Sequence, residues 1–175
     1  MNRVGPGVVA TRVSLVLVVA LVLQVSVAPD LRLFGVQGDL MLLIAIAAGL
    51  AAGPDRGAAI GFTSGIAYDL MLQTPFGLSA LTYALIAFVV GSLQDSVLRA
   101  AWWIPVAIAA AGSVVGVILY VVFGTMVGVE FVGVSIPMVA IVVGLLNAVA
   151  AAPVLRVVRW ATGTQDSVRA RAVFR

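Results

Sequence analysis

Glycines and aspartates at regular spacing are the residues of this sequence whose types could support chemistry or recognition. Gly57, Gly61, Gly65 and Asp69 recur at every fourth position of an apolar stretch, so they fall on one stripe of a helix. Glycines at this spacing let a second helix approach closely inside lipid. A carboxylate within a membrane span is costly unless it faces protein or water, so we expect Asp69 to point into a helix bundle.

Three interpretations of Asp69 remain open from the residues alone. Its carboxylate could cap or pin the end of a neighbouring helix, contact a partner chain or ligand, or relay protons or coordinate a cation. A proton relay normally needs a chain of ionisable groups across the membrane. The polar side chains expected deep in the spans are few, namely Tyr68, Asp69, Tyr83, Tyr120 and Asn147. Pro75 and Gly77 follow Asp69 and predict a tight turn between two helices.

A second aspartate and a second glycine stripe extend the pattern. Asp39 follows Gly38 at the start of an apolar run, so it is expected to cap that helix near the outer membrane surface. Gly112, Gly116 and Gly124 form another four-residue stripe. Each stripe could pack inside the bundle or form an outward groove for a helix of another protein, and the sequence does not say which.

Residue types that serve most catalytic and metal sites are missing. The chain has no Cys and no His, which excludes disulfides, thiolate metal sites and the commonest general base. The serines lack a neighbouring base and the carboxylates are scattered. Neither a phosphate-binding loop nor a basic, aromatic nucleic-acid patch occurs. The sequence therefore predicts no enzymatic activity, no cofactor, no metal and no nucleic-acid partner.

The composition indicates an all-α integral membrane protein. Of the 175 residues, 63% are hydrophobic and 10% are charged, against about 45–50% and 25% in soluble domains. Runs long enough to cross a bilayer predict a single bundle of six transmembrane helices within residues 1–160, with the first run retained as a span. The expected spans are 11–28, 39–53, 57–73, 77–93, 102–128 and 135–160. Residues 161–175 are expected to form a basic cytoplasmic tail.

The arginines predict the orientation in the membrane. Six spans place both termini on one side, and nine of the ten basic residues then lie on that side. Only Arg32 falls on the other side. Positively charged loops stay in the cytoplasm, so both termini are expected inside the cell.

The stretch around Asp69 resembles the MreD family of bacterial membrane proteins. The motifs that carry the resemblance are Pro54-Asp55-Arg56-Gly57, Gly61-Phe62, Gly65, Asp69-Leu70, Thr74-Pro75-Phe76-Gly77-Leu78 and Ala80-Leu81. A weaker match is Gly38-Asp39-Leu40-Met41-Leu42, where the family usually has Pro-Asp-Leu. Together these motifs cover about a quarter of the chain, and the remainder is similar in hydropathy, length and number of spans.

This resemblance implies a non-catalytic scaffold in the bacterial cytoplasmic membrane. Proteins of the family act with MreC, a bitopic protein with a large extracytoplasmic β-domain. Together they help organise peptidoglycan synthases and the actin-like MreB. We therefore expect an MreC-like partner that contacts the stripe ending at Asp69, indirect links to MreB-like actin and the synthases, and a possible homo-oligomer.

The fold that the resemblance implies also supplies an alternative function. Members of the family are similar in fold to the substrate-binding S components of energy-coupling-factor vitamin transporters, which are six-helix bundles as well. The alternative is therefore a small-molecule-binding transporter subunit. Short external loops and an aromatic content of 7% speak against it.

Overall fold

The computed structural model describes residues 5–71, 75–97, 103–131 and 135–164. Within these ranges the chain forms six longer helices and one short one. They are α1 (Pro6–Ser26), α2 (Leu40–Ala52), α3 (Pro54–Asp69), α4 (Leu78–Ser92), α5 (Gln94–Val97), α6 (Ile104–Met126) and α7 (Ile136–Ala161). The end of the expected third span (72–73), residue 74 after it, and residues 165–175 of the expected tail lie outside the described residues.

Long and short helices combine in this membrane protein. Three segments are long and apolar enough to cross a bilayer: α1 with the turn after it, α6 and α7. The apolar helices α2 and α4 have only 13 and 15 residues, and α3 has 16. At 1.5 Å per residue, α2 is about 20 Å long, which is shorter than a hydrocarbon core of about 30 Å. The short helices are therefore too short to cross this core alone, and they lie among helices that are long enough to do so.

Helix α2 lies at the centre of the bundle. Every residue from Met41 to Ala51 is buried, and α2 packs against α1, α3, α4, α6 and α7. A helix that is apolar on all faces needs such an environment. Small residues along α2, including Gly49, allow the neighbouring backbones to come close. The other helices are thus arranged around α2.

The first glycine stripe packs inside this bundle. A Cβ atom at Gly57 would lie 2.6 Å from the Cα of Gly49 in α2, and one at Gly61 would lie 2.6 Å from the Tyr83 carbonyl oxygen in α4. At Gly65 it would collide with the backbone of Ala80. Helix α3 is therefore held against α2 and α4 by backbone contact, and the stripe is occupied by the protein's own helices.

The second glycine stripe also faces inward, but it meets side chains. Gly112 lies against Ile46, Gly116 against Leu42, and Gly124 against the ring of Phe131. The glycines of α6 thus make room for large residues of the central helix and of the loop before α7. Both stripes are therefore used for packing inside the bundle.

Helix α1 is at the edge of the bundle and exposes several large apolar side chains, such as Leu15, Val18 and Val22. Its beginning is tied to the end of α7, where the Arg12 guanidinium lies 4.8 Å from the ring centre of Trp160. A cation over an indole ring is attracted by the ring quadrupole. The start of the first span and the end of the last therefore lie at the same end of the bundle.

Candidate functional site

Asp69 closes the turn between α3 and α4. Its buried carboxylate accepts three backbone amides at the start of α4: Gly77 at 2.9 Å, Ser79 at 3.2 Å and Ala80 at 3.3 Å. Gly77 is the N-cap residue of α4 and has no side chain to offer, and its φ of +95° favours glycine. Asp69, at the end of α3, thus supplies the N-terminal cap that α4 lacks.

The packing of Gly65 positions this carboxylate. Gly65 lies one helical turn before Asp69 and touches the backbone of Ala80. With α3 and α4 this close, the Asp69 side chain reaches the free amides of α4 directly. The interaction also places a carboxylate at the positive end of a helix dipole. Pro75 and Gly77 of the expected turn lie in the connection that this contact closes.

Asp39 lies at the start of the central helix and joins it to α4. Its Oδ1 accepts the amide of Leu42 at 2.9 Å, which is the geometry of an N-cap. Its Oδ2 accepts a hydrogen bond from the hydroxyl of Tyr83 in α4. The Tyr83 ring stacks on Tyr68 of α3, with ring centres 6.2 Å apart. The Asp39 side chain therefore connects α2 to α4, and the stacked Tyr83 ring extends this connection to α3.

Asn147 fixes the backbone of the same residue from the opposite side. Its Oδ1 accepts the Asp39 amide at 3.2 Å, and its Nδ2 donates to the Asp39 carbonyl at 3.0 Å. Nδ2 also donates to the Ser113 hydroxyl of α6 at 2.8 Å, and Ser113 in turn donates to the Ala109 carbonyl. Helices α6 and α7 are thus both linked to the start of α2.

Gln24 of α1 completes this cluster. It is buried near the end of α1, donates to the Gly38 carbonyl at 3.0 Å and accepts the Leu40 amide at 2.7 Å. The amides of Asp39, Leu40 and Leu42 therefore each bond to a side chain, so the first donors of α2 are satisfied where lipid offers no partner. We call Gln24, Asp39, Tyr83, Ser113 and Asn147 the head cluster of α2.

The head cluster lies deep within the bundle. Asn147 comes eleven residues after the start of α7 at Ile136, which corresponds to about 16 Å along a helix. Ser113 comes thirteen residues before the end of α6 at Met126, or about 20 Å. Asp39 was expected near the outer surface, but it lies deeper, because α2 begins well below the ends of the long helices beside it.

A cavity of about 390 Å³ lies beside the head cluster. The loop from Gly35 to Asp39 lines it together with Leu42, Tyr68, Tyr83, four residues of α6 (Gly116, Val117, Tyr120 and Val121), Phe131, Ile136, Val139 and Val143. Tyr120 and Phe131 meet edge to face, with ring centres 6.3 Å apart. Most of the lining is apolar and aromatic, and Asp39 is the acidic residue among the described residues that line it.

The structure separates the residues that the sequence singled out into two groups. Gly61, Gly65, Asp69 and Gly77 lie along the α3–α4 contact, and Gly57 of the same stripe lies against Gly49 of α2. Asp39 belongs to a different place, together with Gly116 beside the cavity. Gln24 was missed by sequence reasoning, and the partners of Asn147 and Ser113 were not foreseen. A polar residue within a long apolar run was the available signal for Gln24.

Both sites hold helices together. Among the described residues, no group of three or more acidic side chains could hold a metal ion. Each aspartate instead accepts hydrogen bonds from backbone amides, in Asp39 with one tyrosine hydroxyl added. The arrangement fixes the N-terminal ends of α2 and α4 relative to the other helices, and so gives the bundle one defined shape.

Comparison with known protein families identifies a family to which the chain is similar. Residues 7–157 match the family model described as rod shape-determining protein MreD. No curated protein and no solved structure matches the chain. The matched range covers α1 to α6 and most of α7, and it includes both aspartate sites.

Proposed function

Because this chain belongs to the MreD family of rod shape-determining proteins, we propose that it is a membrane scaffold that binds an MreC-like bitopic partner. Proteins of this family are non-catalytic, span the membrane several times and act in determining rod cell shape. Through its partner, the scaffold helps organise peptidoglycan synthases and MreB-like actin in cell elongation. The family match over residues 7–157 is the observation that carries this proposal.

The proposal places both termini in the cytoplasm. Arg12, Arg56, Arg156 and Arg159 lie towards the end of the bundle where α1 starts and α7 ends, whereas Arg32 follows α1 at the other end. This distribution supports the orientation, since basic residues are retained on the cytoplasmic side. The head cluster, the Asp69 cap and the cavity then belong to the extracytoplasmic half of the protein.

A partner helix needs a surface other than the two glycine stripes, because α2, α4 and the loop before α7 already occupy them. The alternative is an apolar furrow between α1 and α7. Two adjoining hollows of about 330 and 670 Å³ form it, and both are lined by Leu23 and Leu40. One hollow extends to Val157 of α7, and the other to Asp30 and Arg32 beyond α1.

The shape and chemistry of the furrow fit a single transmembrane helix. Its floor is formed by aliphatic residues of α1, α2 and α7, which pack against a helix by van der Waals contact in lipid. Its outer end carries one acidic and one basic residue, Asp30 and Arg32, where a bitopic protein leaves the membrane. Asp30 and Arg32 can make polar contacts there with the segment that follows the partner's helix.

Disulfide cross-linking to the partner tests this proposal directly, since the chain has no natural Cys. Single Cys residues at Val19 and Val157 lie in the furrow, and each is paired with Cys residues placed along the MreC-like helix. Cys at Leu81 and Phe88, exposed on α4 outside the furrow, gives the matched controls. We expect cross-links from Val19→Cys and Val157→Cys at partner positions that repeat with helical spacing.

Two results would contradict parts of this proposal separately. Cross-links from the α4 positions alone would move the docking surface away from the furrow but keep the partner. A well-folded chain that does not co-purify with the MreC-like protein from mild detergent would remove the partner itself.

A further inference from the structure

The cavity beside the head cluster has a chemical character that the scaffold function does not use. Its volume of about 390 Å³ falls in the range of small-molecule sites, about 300–1,000 Å³. Apolar and aromatic lining with a few polar groups at one place is also typical of such sites. The polar groups here are Asp39 and Gln37, at the loop that leads into α2.

Two of the polar side chains that line this cavity, Gln37 and Asp39, offer acceptor atoms. The Oε1 atom of Gln37 is buried and has no hydrogen-bond partner. The Asp39 carboxyl oxygens accept hydrogen bonds from Leu42 and from Tyr83, and a carboxylate offers about four acceptor positions in all. A ligand that completes these groups must bring N–H or O–H donors.

Asp39 is the one acidic residue among the described residues that line the cavity. No arginine is among the residues that line the cavity in the described part of the chain, and the sequence has no Lys or His. The positive end of the α2 dipole compensates about half an elementary charge near Asp39. The first amides of α2 are bonded to Asp39, Gln24 and Asn147, so donors for an anion are missing at this place.

Aromatic rings surround the same space. Tyr68, Tyr83, Tyr120 and Phe131 line the cavity, in one stacked pair and one edge-to-face pair. The face of an aromatic ring attracts a cation when the two are within about 6 Å. A carboxylate together with several rings is therefore suited to a positively charged nitrogen.

We infer that this cavity binds a small protonated primary amine with an apolar body. The ammonium group donates to the Asp39 carboxylate and to Gln37 Oε1, and the apolar body packs among Tyr68, Tyr120 and Val139. An ethanolamine phospholipid headgroup shares the ammonium, but its phosphate would enter a cavity whose described lining residues include no cationic side chain. The site therefore favours a free amine. This inference does not rest on the proposed function. The cross-linking result does not decide whether an amine binds, and the amine-binding result does not decide whether the partner binds.

Binding of simple amines to the full-length chain tests the inference. The protein is placed in nanodiscs of phosphatidylcholine, and saturation-transfer NMR measures the binding of 2-phenylethylamine and tryptamine. Neutral 2-phenylethanol controls for partition into lipid and for apolar binding. We expect both amines to bind at least about tenfold more tightly than the alcohol, since a charge-assisted hydrogen bond gives a ratio of this size.

Two variants connect this binding to the cavity. Asp39→Asn removes the charge but keeps an N-cap residue for α2, and we expect it to weaken amine binding about tenfold. Val139→Phe fills the cavity from α7 without changing a polar group. Its matched control is Ile141→Phe on the exposed face of the same helix, where binding should stay as in the wild type.

Three results would contradict the inference. If neither amine binds better than 2-phenylethanol, the inference is overturned. If Asp39→Asn and Val139→Phe keep full affinity while their thermal unfolding matches the wild type, the amine binds elsewhere and the inference is overturned as well. A preference for discs containing phosphatidylethanolamine, with competition by that lipid, would assign the site to the headgroup instead of a free amine.

Discussion

The carboxylate of Asp69 lies 2.9 Å from the amide of Gly77, the residue whose own side chain would ordinarily cap the helix that begins there. The cap of α4 is thus supplied by the preceding helix. Because the carboxylate is buried and accepts three amides, we expect it to stabilise the start of α4 more than an exposed N-cap would.

Replacing Asp69 by Ala should destabilise the protein by about 2–3 kcal/mol, because three amides lose a charged acceptor in a buried place. Unfolding by SDS in mixed micelles, followed by circular dichroism, measures the change. Asp55→Ala at the exposed first turn of α3 is the control, with an expected effect within about 0.5 kcal/mol. Equal effects of the two substitutions would show that the Asp69 cap has no special role.

Gly65→Ala should destabilise the bundle by about 1–3 kcal/mol or more, since the new Cβ collides with the backbone of Ala80. Gly7→Ala introduces the same methyl group in α1, where nothing lies within 4 Å. There the better helix propensity of Ala should stabilise slightly, by up to about 1 kcal/mol. Thermal unfolding of both purified variants measures these two changes in stability. A Gly65→Ala protein as stable as the wild type would contradict the close α3–α4 contact.

Asn147 and Ser113 should behave as one unit in a double-mutant cycle. Asn147→Ala leaves the Asp39 amide unpaired, whereas the Asp39 carbonyl keeps the Leu43 amide, and the loss should cost about 1–3 kcal/mol. Ser113→Ala removes the hydroxyl that receives Asn147 Nδ2. The double variant should cost less than the two single costs added, by at least about 0.5 kcal/mol. Strict additivity, measured by the same SDS unfolding, would mean that the two residues do not interact.

The proposed orientation predicts which introduced thiols are open to the outside of a cell. Phe34 lies in the exposed loop between α1 and α2, so Phe34→Cys should react with a membrane-impermeant maleimide in intact spheroplasts. Gly163→Cys, just after α7, should react only after permeabilisation. The absence of natural Cys makes the background low. The reverse pattern would place both termini outside.

The helices and the α3–α4 site follow largely from local sequence. Long apolar runs set the positions of the helices, and a four-residue glycine repeat sets which face of α3 can approach another backbone. Asp69 and Gly77 are only eight residues apart, so a turn signal between them was enough to suggest a contact.

The head cluster could not be predicted in this way. Asp39 and Asn147 are separated by 108 residues, and helical periodicity says which face a residue occupies but not how deep its helix sits. The recessed start of α2 depends on the lengths of α6 and α7, which surround it. Gln24, in an apolar run with no charged neighbour, gave only a weak signal.

The distance along the chain between Asp39 and Asn147 has a consequence for biogenesis. A ribosome delivers α2 to the membrane long before α7, so the Asp39 backbone lacks the Asn147 side chain until α7 has been made. The α3–α4 hairpin closes earlier, because its cap and its glycines come from adjacent segments. Truncation before Asn147 should leave an inserted but incompletely assembled product, open to membrane proteases. Helix α7 therefore completes the centre of the bundle.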